Sequence, residues 1–298
     1  MNFPKISVIT PSFNQAGYLE ETIQSVLTQN YPNLEYIIVD GGSKDGSVDI
    51  ITKYADRLHY WVSEPDGGMY EAIQKGFEKS TGDIMGWLNS DDMLHKNALF
   101  SVAELLSLPG VEWVQGQPSF YDEQGRTVSI QPLKRWSRLQ YLQNDYEWIQ
   151  QESTYWTREL WQRAGGYISG NYKYAGDMEL WNRFFQHAKL YTPNCLIGGY
   201  RMRTSEQLSL EGMEKYHAEA KSILSKNIIT EEEKKRFSQM RKSESRLRLI
   251  YQTKVLRINY FTRKLEQNLH DLYGYPERID YSRIEQKFVL VKSTLFRS

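Results

Sequence analysis

The sequence predicts an α/β protein, a mostly parallel sheet flanked by helices, followed by a helical C-terminal extension. Two patterns support this. Over residues 4–110, short runs rich in Ile and Val alternate with stretches whose apolar residues recur at helical spacing, and each run ends in Gly, Asp, Ser or Pro. Past residue 211 the alternation gives way to long charged segments of helical character.

The elements follow in order. Residues 6–10 (ISVIT) read as a strand, and Leu19, Ile23, Val26 and Leu27 lie on one helix face. Residues 34–39 (LEYIIV) are the second strand, followed by a helix marked by Val48, Ile51, Tyr54 and Ala55. Residues 58–62 (LHYWV) give a third strand, then a helix through Ala72, Ile73 and Phe77. Residues 84–88 (IMGWL) give a fourth, then a helix through Leu99, Val102, Leu105 and Leu106. Strands separated by helices in units of about 20–25 residues are joined by crossovers, which make neighbouring strands parallel. Residues 111–131 read as a hairpin turning at Asp122-Glu123-Gln124-Gly125, and residues 136–187 as helical pieces around the loop GGYISGNYKYAGD. Beyond Glu211 nearly everything reads as helix, with Ile258, Phe261, Leu265, Leu269 and Leu272 in one stripe. Two domains are expected, 1–210 and 211–298.

Composition narrows the class. Apolar residues at 40% and charged residues at 25% fit a globular core and disfavour disorder. The net charge of zero hides an asymmetry: residues 221–298 hold 18 Lys/Arg against 9 Asp/Glu, and the preceding residues hold 19 against 28. The single Cys195 forms no internal disulfide, and no Cys/His cluster has zinc spacing. No secretory leader is expected, because an apolar strand begins by Ile6 without a charged region before it. No window approaches ~18 consecutive apolar residues, so a cytoplasmic protein is expected.

Ligands of open α/β sheets sit beyond the carboxyl ends of the strands. The four strand ends here carry Thr10-Pro11-Ser12, Asp40-Gly41-Gly42-Ser43, Glu64-Pro65-Asp66-Gly67-Gly68 and Asn89-Ser90-Asp91-Asp92, so acid- and glycine-bearing loops should share one rim. There is no G-x-x-x-x-G-K-[ST] loop and no G-x-G-x-x-G turn after the first strand, which disfavours a P-loop NTPase or a dehydrogenase. If the rim takes a phosphorylated ligand, carboxylates and phosphates repel, and a hard divalent cation, Mg²⁺ or Mn²⁺, would reconcile them.

The blocks ISVITPSFNQAGYLEETIQSVLTQNYPNLEYIIVDGGSKDGS, DGGMYEAIQKG and GDIMGWLNSDD, and the later YAGDMELW, resemble family 2 glycosyltransferases, the inverting, nucleotide-sugar-dependent enzymes with a GT-A-like, Rossmann-type sheet. The resemblance runs over residues 4–210 and rests on the order of the blocks. It implies a nucleoside pocket framed by Thr10, Pro11 and Phe13, with Asp40 recognising the base or ribose. It implies donor contacts from Asp66, and from Lys75 to the diphosphate. Asn89-Ser90-Asp91-Asp92 stands where the family has Asp-x-Asp. Asn89 would then bond a ribose hydroxyl and Asp91 hold the metal, with Asp92 a second ligand or an orienting neighbour. Asp177 matches the general base, which would take the proton from the acceptor hydroxyl as that oxygen attacks the anomeric carbon in a single displacement. Gln150-Gln151-Glu152-Ser153 and Gly165-Gly166-Tyr167 resemble the acceptor side. Trp148, Tyr155, Trp156 and Trp161 are candidates to stack a saccharide or lipid-linked acceptor, although core packing suits most of them better. Where relatives carry Arg-x-His before a Ser, this chain has Arg201-Met202-Arg203 before Ser209, and Arg203 cannot ligate a cation but can contact the diphosphate.

Bland readings stand beside these. Asp40 could make an Asx turn, Asp66 and Asp177 could be helix N-caps, the Asn89–Asp92 stretch could cap the helix at Asn97, and Lys75 could be a surface lysine. The basic tail could be a solvated appendage, an anionic-membrane contact on the inner face, or, through its Ile258-to-Leu272 stripe, a homodimer interface. No nucleic-acid motif accompanies its charge. The functional expectation is sugar transfer from a nucleotide-sugar to a hydroxyl, in bacterial surface polysaccharide synthesis. A nucleotidyltransferase and a non-catalytic subunit of the same fold are the rivals.

Overall fold

The structure is a computed structural model, which describes residues 3–204, 212–252 and 259–291. Strands β1 (Ile6–Ser12), β2 (Leu34–Asp40), β3 (Tyr60–Ser63) and β4 (Ile84–Trp87) belong to a six-stranded sheet that continues through β9 (Thr154–Thr157) and β6 (Trp113–Gln115), in the order β3-β2-β1-β4-β9-β6. The first four strands pair parallel, and β9 pairs antiparallel with both β4 and β6. The predicted parallel sheet is therefore present, with two antiparallel strands added at one side. Strand order reverses between β1 and β4, which is where a sheet of this kind opens a crevice at its carboxyl edge.

Helices α1 (Ala16–Leu27), α2 (Ser47–Lys53), α3 (Met69–Lys79) and α4 (Ala98–Leu106) fill the crossovers. Alternate residues of the buried strands serve opposite faces. Ile9, Ile37, Met85, Trp113 and Trp156 join α3 residues in one core, and Val8, Ile38, Ile84, Val114 and Tyr155 join α1 and α4 residues in the other. The first core holds a cluster of indoles. Trp87 and Trp181 stack with centroids 5.7 Å apart and planes 8° from parallel, and Trp181 also stacks on Trp113 at 5.5 Å. Tyr155, Trp156 and Trp161 are thus core residues, whereas Trp148 is 46% exposed.

A second sheet, β5-β10-β7-β8, joins β5 (Met93–Leu94), β10 (Gly198–Arg201), β7 (Ser119–Tyr121) and β8 (Thr127–Ile130). The hairpin predicted over 111–131 is the β7–β8 pair, turning at Gly125 with φ 76°. Shorter helices α5 (Arg138–Leu142), α6 (Arg158–Arg163) and α7 (Gly176–Phe184) follow.

Four expectations change. The second helix ends at Lys53, because residues 55–57 tighten into a 3₁₀ turn, and the third strand starts at Tyr60 rather than Leu58. Residues 136–187, read as helical, also contain β9, whose aromatic residues are buried on both faces and show no alternation. Beyond Glu211 the helices α8 (Met213–Ser225), α9 (Glu231–Gln252) and α10 (Asn259–Tyr273) are followed by a hairpin of β11 (Arg278–Ser282) and β12 (Lys287–Val291). Gly274, at φ 71°, and Pro276 stop α10, and Ile279 and Phe288 bury themselves in the core that contains α4, with Phe288 N–H donating to Glu104 at 2.6 Å.

The predicted apolar stripe is partly used inside the chain. Leu269 and Leu272 pack on Leu139, Phe237 and Met240, so they are no free dimer surface. Ile258 lies outside the described residues, and nothing is described of the Phe261 side chain. Among the described residues no helix is long and apolar enough to cross a membrane.

Candidate active site

The acid loop at the end of β4 is braced from within. Asp92 is 1% exposed; its Oδ1 accepts from Arg201 N–H at 2.8 Å and its Oδ2 from the Asn89 amide at 3.2 Å. Burial holds its carboxyl well above the usual range, with the Glu152 and Asp91 charges adding to that. Both Asp92 carboxyl oxygens are therefore engaged within the chain. Asn89 likewise turns its amide inward, away from the role of ribose ligand. Asn97, with no side-chain bond, precedes α4, so the acids do not cap that helix.

Arg201 makes the brace. Fully buried, it donates to Asp91 O at 2.6 Å, Glu123 O at 2.9 Å and the Glu21 carboxylate at 2.6 Å. It thereby ties the acid loop to the β7–β8 turn and to α1. Two glycines bring it there. A methyl on Gly198 would lie 2.0 Å from Glu152 O, and one on Gly199 would lie 2.6 Å from the Tyr121 ring. Only bare backbone lets β10 pass between these neighbours.

Asp91 faces outward, with its side chain 18% exposed. Its Oδ2 accepts from Arg203 Nη1 at 3.1 Å. Arg203 is 7% exposed, also donates to Gln15 Oε1 at 3.0 Å, and lies 4.7 Å over the Tyr18 ring.

The other rim loops converge beside it. Phe13 is 59% exposed, and an added methyl on Gly41 would lie 3.2 Å from both Phe13 and Asp66. The ends of β1, β2 and β3 therefore meet at one point. Asp66 accepts from Gly68 N–H at 2.8 Å, and Gly68 rather than Asp66 is the N-cap of α3, so Asp66 forms a turn and does not cap the helix. Thr10 and Pro11 lie buried beneath this rim, where Thr10 shares a hydrogen bond with Tyr36. Asp40 is fully buried, and its carboxylate accepts from Gly42 N–H, Ser43 N–H, Ser43 Oγ and Ser63 Oγ at 2.5–3.1 Å. The expected contact from Asp40 to a ligand has no surface to be made with; it shapes the loop from below. Lys75 is met by Glu64 and Glu71, each at 3.2 Å, which engages the charge expected for a diphosphate.

Asp177 lies in the first turn of α7, after the N-cap Ala175, so it is not the cap. Tyr70 Oη, from α3, donates to its Oδ1 at 3.2 Å. Gly176 permits this approach, since a methyl there would lie 2.7 Å from the Tyr70 ring. Burial pushes the Asp177 carboxyl up to about 6, against the lowering pull of its hydrogen bonds. Beside it, Glu219 of α8 accepts from Tyr174 and Ala175 N–H, and the exposed Trp148 packs against Tyr216 with centroids 5.0 Å apart and planes tilted by 59°.

A resident divalent cation fits this donor set poorly. Asp92 is committed internally, Asn89 turns inward, and a guanidinium stands at Asp91. Among the described residues no three His, Cys, Asp or Glu side chains are placed together to hold a metal. Ser209, the end of the Arg-x-His pattern, lies outside the described residues.

Three residues of the site, Arg201, Tyr70 and Glu152, carry no role that sequence spacing assigns; each is one residue of a longer motif. Glu152 is 4% exposed, one carboxyl oxygen has no partner, and burial raises it to about 8, aided by the charges of Asp91 and Asp177. A carboxylate inside an otherwise apolar and amide-rich stretch was the available signal.

Comparison with known proteins agrees with this architecture. The sequence profile described as Glycosyl transferase family 2 matches residues 7–165. An uncharacterized glycosyltransferase of Rickettsia typhi is 25% identical over 223 residues, 72% of this chain and 70% of its own. A putative teichuronic acid biosynthesis glycosyltransferase, TuaG of Bacillus subtilis, is 40% identical over 106 residues, 35% of this chain and 42% of its own. Among solved structures, S. aureus TarS 1-349 in complex with UDP-GlcNAc superposes with a TM-score of 0.58 at 17% identity, covering 97% of both chains. The mannosyltransferase PcManGT from Pyrobaculum calidifontis, in complex with GDP-Man and Mn²⁺, gives 0.52 at 20% identity over 73% of this chain and 60% of its own. At these identities the two structures establish the fold.

Proposed function

Because the chain belongs to glycosyl transferase family 2, and is a glycosyltransferase, we propose that it moves a sugar with inversion from a nucleotide-sugar to a hydroxyl acceptor during assembly of a bacterial surface polysaccharide. The single observation that carries this is Asp177. It is a carboxylate with a raised pKa, aimed by Tyr70, at the carboxyl edge of the sheet. With its pKa near 6 it is ionised at neutral pH and is a better proton acceptor than an ordinary carboxylate. It takes the acceptor's proton as the hydroxyl oxygen bonds to the anomeric carbon and the bond to the nucleoside diphosphate breaks. Burial raises the neighbouring Glu152 to about 8, and Asp91 is held in an ion pair with Arg203, so Asp177 is the carboxylate that serves the acceptor. That favours a single displacement.

In this reading Phe13, Gly41 and Asp66 receive the nucleoside, with Thr10, Pro11 and Asp40 supporting them from beneath. Trp148 and Tyr216 form the acceptor side, where an exposed ring suits the apolar face of a sugar. The similarity to a protein named for teichuronic acid synthesis supports a polysaccharide product. Residues 211–298 would act as an extension packed on the catalytic domain, which buries Ala220, Ile223, Ile279 and Phe288 in its cores. Exposed Arg241, Lys242, Arg246 and Arg248 on α9, with Leu249 62% exposed among them, favour contact with an anionic leaflet where a lipid-linked acceptor would lie. The test is transfer from UDP- and GDP-sugars to oligosaccharide acceptors, with Asp177→Asn alongside. Full activity in that variant would remove Asp177 as the base.

A further inference from the structure

We infer that Arg203 stands in the place of a divalent cation at Asp91, so that the donor's diphosphate is neutralised by a fixed guanidinium and nucleotide binding does not require metal. This rests on the proposed donor site. The position expected to bind the cation holds a built ion pair. Arg203 meets Asp91 at 3.1 Å, is anchored by Gln15 at 3.0 Å, and lies over Tyr18 at 4.7 Å. Arg201 reaches the same tyrosine from 5.1 Å and holds the Asp91 backbone from below.

A cation entering at Asp91 would have to displace Arg203 from a nearly enclosed pocket, and would find no second carboxylate, because Asp92 is spent on Arg201 and Asn89. A guanidinium, by contrast, is a permanent charge whose planar fork matches phosphate oxygens. The loop thus keeps the order acid, cation, diphosphate, with one fixed charge of the chain in place of a divalent ion. The position that would otherwise carry a ligating His is the one that carries it.

The test measures the affinity of the full chain for UDP and GDP by calorimetry, once in EDTA and once in Mn²⁺. For whichever nucleotide binds, the dissociation constants should agree within about threefold. Arg203→His should bind at least about tenfold more weakly in EDTA and recover in Mn²⁺, because it removes the fixed charge and supplies a ligand. Arg203→Gln, a milder change for folding, should lose affinity in EDTA to a similar degree. Wild-type binding that is about tenfold or more weaker in EDTA, and restored by Mn²⁺, overturns the inference while leaving the donor site standing. Binding of neither nucleotide in either medium overturns the donor site itself, and the inference with it.

Discussion

Replacing Asp177 by Asn should make the protein inactive and more stable, and the gain should depend on pH. Its carboxyl rises from an ordinary 3.8 to about 6 in the fold, chiefly through burial. That displacement corresponds to about 3 kcal/mol of destabilisation when the group is ionised. Asp177 keeps a solvent-facing edge, so screening reduces the expected figure to about 2 kcal/mol. The sign follows from proton counting. Between pH 3.8 and 6 the folded chain holds this proton and the unfolded chain does not. Stability therefore falls as pH rises through that window, and the full cost is present above it. An amide has no such cost and can still accept from Tyr70. Thermal unfolding at pH 8 should place the variant above wild type by roughly 4 °C, taking about 2 °C per kcal/mol for a chain of this size. The gap should narrow at pH 5 and close near pH 4. A variant equal to or less stable than wild type at pH 8, or a gap independent of pH, would refute the premise that burial raises this carboxyl.

Other outcomes follow from the same geometry. The rate of transfer at low acceptor concentration should fall about tenfold per pH unit below about 6, as the base acquires its proton; a flat profile down to pH 5 would exclude Asp177 from that role. Arg201→Met should cost about 2–3 kcal/mol in urea unfolding, because it takes the guanidinium donors from the Asp91 and Glu123 carbonyls and frees the acid loop; a loss below about 1 kcal/mol would show the brace to be dispensable. Trp148→Ala should raise the acceptor KM several-fold while kcat and donor binding hold, and an unchanged KM would place the acceptor elsewhere. Reversing Arg241, Arg246 and Arg248 to Glu should reduce sedimentation with vesicles containing phosphatidylglycerol; equal sedimentation would assign those charges to solvent.

Much of this architecture was legible in the sequence, because strand and helix periods differ and each strand end is punctuated. The four parallel strands and the convergence of their loops followed from that punctuation. What escaped lacked a local pattern. Strand β9 is buried on both faces and so has no alternation to read. The last hairpin is short and hidden in a basic stretch of helical composition. At the site, residue type was readable but direction was not. Asp91 and Asp92 are adjacent letters, yet one faces the cleft and the other is fastened beneath it. The difference is made by Arg201, which lies 109 positions after Asp92. Long-range partners of this kind decide which of two acids is available, and no window of sequence contains them.

The stacked indoles make the molecule its own optical probe. Trp87 closes the strand that leads into the acid loop, and Trp181 is one turn beyond Asp177 on the same helix, so the pair links the donor side to the acceptor side. Two nearly parallel chromophores 5.7 Å apart couple strongly enough for their ultraviolet circular dichroism to depend on relative orientation. Any ligand that moves the acid loop against α7 should change that signal without a label, whichever side of the cleft it enters.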